Sequence, residues 1–268
     1  MNSAFRLAPG GRARLAVLDH VLDEAYGAPE AMLGNQADPL DETIYVILSF
    51  QTGVDRFKET WQCLRSVFRR WEDAEHASVG QIAGVLTPAG LHRQKARAIE
   101  RLLRTVRQTF GELSLNALRS MSDSDAERAL TRLPGLSWKG ARCVLLYSLD
   151  RAVFPIDGNT FRVFQRTGVI PQSAVYRRRS LHNAVQEAIP PERRRRFHVN
   201  LVIHGQRTCR SLGPKCASCP AIKCCARRNL PALAYTSSRP GTRPPGHVDP
   251  AARRRAAPHG RTGDSTCG

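Results

Sequence analysis

The chain has 268 residues, of which 41% are hydrophobic and 6% aromatic, so a buried core of aliphatic side chains on helices is favoured over a β-sandwich. Lysine and arginine number 41 against 23 acidic residues, a net charge of +18 that favours nucleic acid as partner, although arginine-rich tails also inflate this number. No apolar run approaches the ~20 residues of a membrane span, and the N-terminus lacks a secretion signal, so we expect a cytosolic, reducing compartment.

Amphipathic helical patterns dominate the sequence, and no strand pattern or internal repeat competes with them. The sequence therefore predicts an all-α fold. The predicted helices are an N-terminal helix followed by helices over 41–50, 56–71, 79–86, 93–110, 124–133, 138–149, 176–189 and 192–206.

The stretch Leu133–Cys143, "LPGLSWKGARC", joins two of these helices through a tight turn. Amides of such a turn and of the next helix's first turn form an anion site, which on a basic protein suits a DNA phosphate. The helix dipole disfavours the ammonium form of Lys139, which favours a free amine able to form a Schiff base. The alternatives are an ordinary structural hairpin and a solvated surface lysine.

Four cysteines, Cys209, Cys216, Cys219 and Cys225, follow the spacing C-x6-C-x2-C-x5-C. In a reducing compartment such a group indicates a metal site rather than disulfides. Zinc is the metal that four cysteines most commonly bind. Zinc ribbons, however, use two separated CxxC pairs, and only one close pair occurs here. Cys224, next to Cys225, competes for the fourth position.

The segments "LPGLSWKGA" and "PIDGNTFRV", followed by the cysteine loop, together resemble the endonuclease III family of DNA glycosylases and AP lyases. This family contains iron–sulfur clusters and belongs to the helix–hairpin–helix–GPD superfamily; the resemblance covers about Asp38–Arg227. It implies that Lys139 attacks the sugar C1′ and that Asp157 stabilises the cationic sugar. It also implies a [4Fe–4S] cluster on the four cysteines, with Cys225 as the fourth ligand.

The resemblance implies a two-lobed, all-α glycosylase fold with a C-terminal cluster loop. A helical bundle over 32–151 would hold the helix–hairpin–helix at about 124–149. The iron–sulfur lobe would comprise 1–31 plus 152–228. Beyond it, the Pro-, Arg- and Gly-rich composition of 229–268 predicts a disordered basic tail.

Residues that contact DNA are also implied by the resemblance. Gln51 in "SFQTGVD" would enter the space left by an extruded base, and Leu91 in "GLHRQKA", helped by His92, would wedge at the opposite strand. The remaining implied contacts to the DNA backbone are made by Gly135, Ser137 and Lys215. Ser137 replaces a usual glycine, so we expect backbone strain there and an altered phosphate contact.

The implied activity is base-excision repair of damaged, oxidised pyrimidines by a monomer acting on double-stranded DNA in the bacterial nucleoid. Two alternatives stay open. The "IDGN" segment is similar to the adenine glycosylase branch, which favours a related glycosylase for mismatched adenine or thymine, or for modified cytosine. The other alternative is a non-catalytic iron–sulfur protein that binds DNA, against which the combination of Lys139 and Asp157 argues.

Overall fold

The computed structural model describes residues 5–29 and 33–226, and these ranges contain helices and no β-strand. The predicted all-α class is therefore confirmed. The α-helices of the described ranges are α1 Gly11–Tyr26, α2 Pro39–Ser49, α3 Val54–Val67, α4 Trp71–His76, α5 Val79–Val85, α6 His92–Phe110, α7 Asp123–Arg132, α8 Trp138–Tyr147, α9 Gly158–Thr167, α10 Arg179–Glu187 and α11 Arg194–Arg207. None of these helices is long and apolar enough to cross a membrane. The predicted tail over 229–268 lies outside the described residues.

The prediction of one helix over 56–71 is wrong, because α3 and α4 are separate helices. The break falls at Phe68, whose φ of −107° and ψ of 82° are not helical. Arg65 donates a hydrogen bond to the freed carbonyl of Phe68 at 3.0 Å, and its guanidinium lies 4.6 Å from the ring centre of Trp71. Phe68 and Trp71, on either side of the break, are both buried.

Two apolar cores organise the helices. Helices α2 to α8 surround the first core, whereas α1, α9 and α10 surround the second. Helix α11 contributes to both, since Val199 and Ile203 belong to the first core and Phe197 and Leu201 to the second. We propose that the lobes predicted at 32–151 and at 1–31 plus 152–228 correspond to these two cores.

Helix α11 packs closely against the start of α9 at Gly205. A Cβ atom added to Gly205 would lie 2.5 Å from the Cβ of Asn159, well inside the contact distance of two carbon atoms. Glycine therefore allows the approach that holds the Asp157–Asn159 segment in place.

We predict that Gly205→Ala lowers the free energy of unfolding by about 1–3 kcal/mol, because the added methyl overpacks this contact. Denaturant unfolding of the purified variant measures the change. The matched control is Gly84→Ala in α5, where an added Cβ meets nothing within 4 Å and stability should stay level or rise. Wild-type stability in Gly205→Ala would contradict the close packing.

Candidate active site

The hairpin between α7 and α8 is built by one glycine and one capping serine. Gly135 has a φ of +83°, a left-handed conformation that favours glycine. Ser137 has an extended backbone, with φ −105° and ψ 173°, and its hydroxyl accepts a hydrogen bond from the amide of Gly140. The strain expected at Ser137 is therefore absent, because any residue adopts this conformation and serine is a favoured N-cap. The phosphate contacts of both residues stay predictions.

Lys139 and Asp157 each stand at the N-terminus of a helix. Lys139 is the second residue of α8, and its Nζ lies 5.3 Å from the ring centre of Phe50. Asp157 is the N-cap of α9, where its carboxylate accepts hydrogen bonds from the Thr160 amide at 2.7 Å and from Asn159 Nδ2 at 3.1 Å.

The carboxylate of Asp157 is held in its ionised form. Burial acts to raise the pKa of Asp157, but His198, Lys139 and the hydrogen bond from Thr160 outweigh it, so this pKa lies below its ordinary value. An anion is thus maintained beside Lys139 at neutral pH.

One cavity of about 170 Å³ brings these residues together. Lys139 and Asp157, predicted from separate motifs, both line it. It exceeds the space that a single water molecule occupies, so it can admit a larger group. The other lining residues are Leu33, Asn35, Tyr45, Val46, Ser49, Thr52, Val54, Phe57, Cys143, Tyr147, Asn159, His198, Val202 and Gln206.

His198 and Tyr147 form a buried pair at this cavity that sequence reasoning missed. The Tyr147 hydroxyl and His198 Nδ1 are 2.6 Å apart, and His198 Nε2 has no hydrogen-bond partner among the described residues. Burial raises the pKa of Tyr147 well above its ordinary value and, with the charge of Lys139, lowers the pKa of His198 to about 4 although Asp157 acts to raise it. Both groups are therefore neutral at pH 7, and one hydrogen bond joins the hydroxyl to Nδ1.

A second polar atom without a partner in the described ranges belongs to Asn35, which also lines the cavity. Its Nδ2 donates to Glu42 at 2.6 Å, and the amide of Gln36 donates to the other carboxylate oxygen at 2.7 Å. These contacts direct Asn35 Oδ1 away from Glu42. Burial raises the pKa of Glu42 to about 8, although both hydrogen bonds act to lower it.

The residues predicted to enter the DNA stack lie in two strained turns. Gln51, after α2, and Leu91, before α6, are exposed and have left-handed backbones with φ of +53° and +50°. This conformation costs a non-glycine residue about 1–2 kcal/mol, and such strain is often kept at functional sites. His92, the first residue of α6, is half-buried. Contact of all three with DNA stays a prediction.

The four predicted cysteine ligands, Cys209, Cys216, Cys219 and Cys225, line one small cavity together with His204. Burial and the three neighbouring cysteines raise the pKa of Cys219 to about 11, so the thiols are close enough to influence one another. Among the described residues, however, no three His, Cys, Asp or Glu side chains are grouped as a single metal ion requires. Cys224 lies outside the cavity lining and donates to the carbonyl of Ala221 at 3.2 Å. Lys215, beside Cys216, is exposed.

Solved structures that share this fold include an endonuclease III and a DNA glycosylase. An endonuclease III–DNA complex matches with a TM-score of 0.70 at 20% identity, over 80% of this chain and 95% of that chain. A thermostable thymine-DNA glycosylase matches with a TM-score of 0.69 at 20% identity, over 81% and 98%. The fold is therefore that of endonuclease III. No protein-family model matches the sequence.

Sequence relatives agree with the fold. Endonuclease III of Sulfolobus acidocaldarius is 30% identical over 148 residues, which cover 54% of this chain and 61% of the relative. The DNA glycosylase/AP lyase ROS1 of Arabidopsis thaliana is 24% identical over 165 residues, which cover 56% of this chain and 12% of ROS1. The match to another Arabidopsis thaliana relative covers 56% of that relative, so this chain spans about half of the relative's length.

The chain therefore has the endonuclease III fold and is similar in sequence to endonuclease III and to DNA glycosylases. The relatives named above come from an archaeon and a plant, and the expected bacterial nucleoid location stays a prediction.

We predict that the stability of the protein falls on mild acidification partly through His198. Between its ordinary pKa of 6.5 and the folded value of about 4, the unfolded chain binds a proton that the folded chain does not. As the pH is lowered across this window, this proton reduces the free energy of unfolding by about 1.4 kcal/mol per pH unit. Denaturant unfolding at several pH values should show a shallower fall in His198→Gln.

The matched control is His20→Gln, whose side chain is 73% exposed and which should keep the wild-type slope. An unchanged slope in His198→Gln would show that His198 is already protonated, or not buried, in the folded protein.

Proposed function

We propose that this protein is a monomeric, bifunctional DNA glycosylase and AP lyase that removes damaged bases, in particular oxidised pyrimidines, from double-stranded DNA. The observation that carries the proposal is the shared cavity of Lys139 and Asp157 at two helix N-termini. A protein that only binds DNA needs neither an amine nor an ionised carboxylate in such a cavity. The sequence relatives named as glycosylases and AP lyases support the same class.

The chemistry follows from the two side chains. The free amine of Lys139 forms a bond to the sugar C1′ while the glycosidic bond breaks, and the base leaves with the bonding electrons. Asp157 stabilises the positive charge that develops on the sugar. The nitrogen then loses a proton and the C1′–O4′ bond breaks, with the proton going to O4′, which opens the sugar ring and gives a Schiff base. The Schiff base acidifies the C2′ proton. Loss of that proton expels the 3′ phosphate, and hydrolysis of the imine frees the lysine.

The surface of the protein suits a duplex substrate. The net charge of +18 provides sequence-independent attraction to phosphates. A base inside a duplex must be extruded before the cavity can receive it, and the exposed, strained residues Gln51 and Leu91 are placed on turns that suit this step.

The cysteine cavity suits a [4Fe–4S] cluster held by Cys209, Cys216, Cys219 and Cys225. Four thiols converge on one small space, yet none of the described side chains is grouped for a single ion. A polynuclear cluster spaces its ligands more widely than zinc does. When bound, such a cluster would cross-link the cysteine loop internally, and Arg166 of α9 and His204 of α11 contact its ligands Cys209 and Cys219.

We predict that borohydride traps the wild-type chain on a duplex that contains an abasic site or thymine glycol. The covalent adduct should disappear in Lys139→Gln, because the nucleophile is gone. Asp157→Asn should retain DNA binding but slow base release about 100- to 1000-fold, since the stabilising anion is lost. Gel analysis of the trapped complex and of strand cleavage measures both effects.

The control for these variants is Lys58→Gln, which removes one positive charge outside the cavity lining. Its adduct should match that of the wild type. Equal trapping by Lys139→Gln would refute the assigned nucleophile. A base-release panel with mismatched adenine, mismatched thymine and modified cytosine then identifies the target.

We predict that the purified chain contains iron and acid-labile sulfide, with four iron atoms per chain. Cys225→Ser should lose the iron, whereas Cys224→Ser should keep it, because Cys225 lines the cavity and Cys224 does not. Metal and sulfide analysis with visible absorption measures the content. Stoichiometric zinc without sulfide would contradict the cluster, and iron loss in Cys224→Ser alone would reassign the fourth ligand.

A further inference from the structure

Two exposed turns of the protein share an uncommon backbone conformation. Only four non-glycine residues in the described ranges have a positive φ, and two of them are Gln51 and Leu91. The two turns belong to different parts of the chain, one after α2 and the other before α6. Because a left-handed backbone is unfavourable for these residues, neighbouring contacts must hold both turns in place.

Lys95 bonds to both turns. Its side chain is buried, at 4% exposure, and Nζ donates to the carbonyl of Leu48 at 2.7 Å and to the Thr52 hydroxyl. The backbone amide of Lys95 donates to the carbonyl of Leu91 at 3.0 Å. Leu48 and Thr52 flank the Gln51 turn, so one residue connects the two turns through its side chain and its main chain.

The chemistry of Lys95 fits this connecting role. The carbonyl of Leu48 is among the last of α2, where the helix dipole favours a cation. Burying an ammonium group is otherwise unfavourable, and an apolar side chain would fill the same space without that cost. Burial accordingly lowers the pKa of Lys95 to about 8. An apolar residue, however, could not donate to two acceptors on the neighbouring turn.

We propose that Lys95 is a positioning residue that fixes the Gln51 and Leu91 turns relative to each other, so that both side chains enter the DNA duplex together. The inference rests on the proposed function for the role of Gln51 and Leu91. The link between the turns is a property of the free protein. Two measurements therefore test separately whether Lys95 holds the two turns together and whether this contact contributes to base release.

The first measurement is amide hydrogen exchange of the free protein, comparing the wild type with Lys95→Met. Loss of the charge-assisted hydrogen bonds should speed exchange in the Gln51 and Leu91 turns together by about tenfold or more. Exchange in the later turns of α6 should stay unchanged. The matched control is Gln94→Met, an exposed neighbour on the same helix, which should exchange as the wild type does. Unchanged exchange of both turns in Lys95→Met would overturn the proposal.

The second measurement is a mutant cycle in single-turnover base release from a lesion duplex. Lys95→Met should slow release about tenfold in the wild-type chain, but have almost no effect in a chain that carries Gln51→Ala and Leu91→Ala. Residues that act through one another give such non-additive effects. An equal loss in both backgrounds would show that Lys95 only stabilises the fold, and would overturn the positioning role.

The two measurements distinguish failure of the proposed function from failure of the positioning role. If the wild-type chain releases no base from any duplex, the proposed function fails, and the exchange measurement alone decides whether Lys95 holds the two turns. If base release occurs and the turns exchange alike in both proteins, the proposed function stands and the positioning role is refuted.

Discussion

The meeting of two helix N-termini at one cavity is the constraint on which the site depends. The N-terminus of α9 favours the anion of Asp157, because its free amides donate to the carboxylate. The N-terminus of α8 has the same polarity and presents Lys139. Asp157, whose pKa lies below its ordinary value, supplies a negative charge at the same cavity. The cavity therefore combines an amine with an ionised carboxylate, each held at the N-terminus of a helix.

Close packing sets where these helix ends lie. Glycine at position 205 lets α11 touch the start of α9, and Gly140 brings α8 against α2, where an added Cβ would lie 3.3 Å from Cγ1 of Val46. Since α11 also contributes side chains to both apolar cores, its position determines how the two helix ends face each other. A shift of α11 would therefore displace the start of α9, and Asp157 with it, relative to Lys139.

Features that depend on a local pattern of residues could be predicted from the sequence. The helices followed from apolar periodicity, and Lys139, Asp157 and the four cysteines were identified from short motifs. The fold confirms the helical class, but the break between α3 and α4 was missed because the burial of Phe68 and Trp71 depends on partners from other helices. Strain was expected at Ser137 from residue type alone, whereas the structure shows a capping role there.

Pairs of residues distant in the chain could not be predicted in this way. Tyr147 and His198 are 51 residues apart in the sequence. From the sequence alone, each is an ordinary residue of an apolar helix, and only the fold brings the two together. The same holds for the side chain of Lys95 and the Leu48 carbonyl, 47 residues away. No period or spacing encodes such contacts, because they arise only from the way in which the helices pack.

The polar atoms left without partners at the cavity connect this packing to substrate choice. His198 Nε2 and Asn35 Oδ1 are buried and have no hydrogen-bond partner within the described residues, a state that costs about 1–3 kcal/mol per group. His198 offers Nε2, because its other nitrogen is bonded to Tyr147, and Asn35 offers an acceptor, because its amide nitrogen is bonded to Glu42. A group that pairs with both regains this free energy on binding, whereas one that pairs with neither does not. For a cavity that receives a base, as we propose, hydrogen bonding would therefore contribute to the choice of base as well as size.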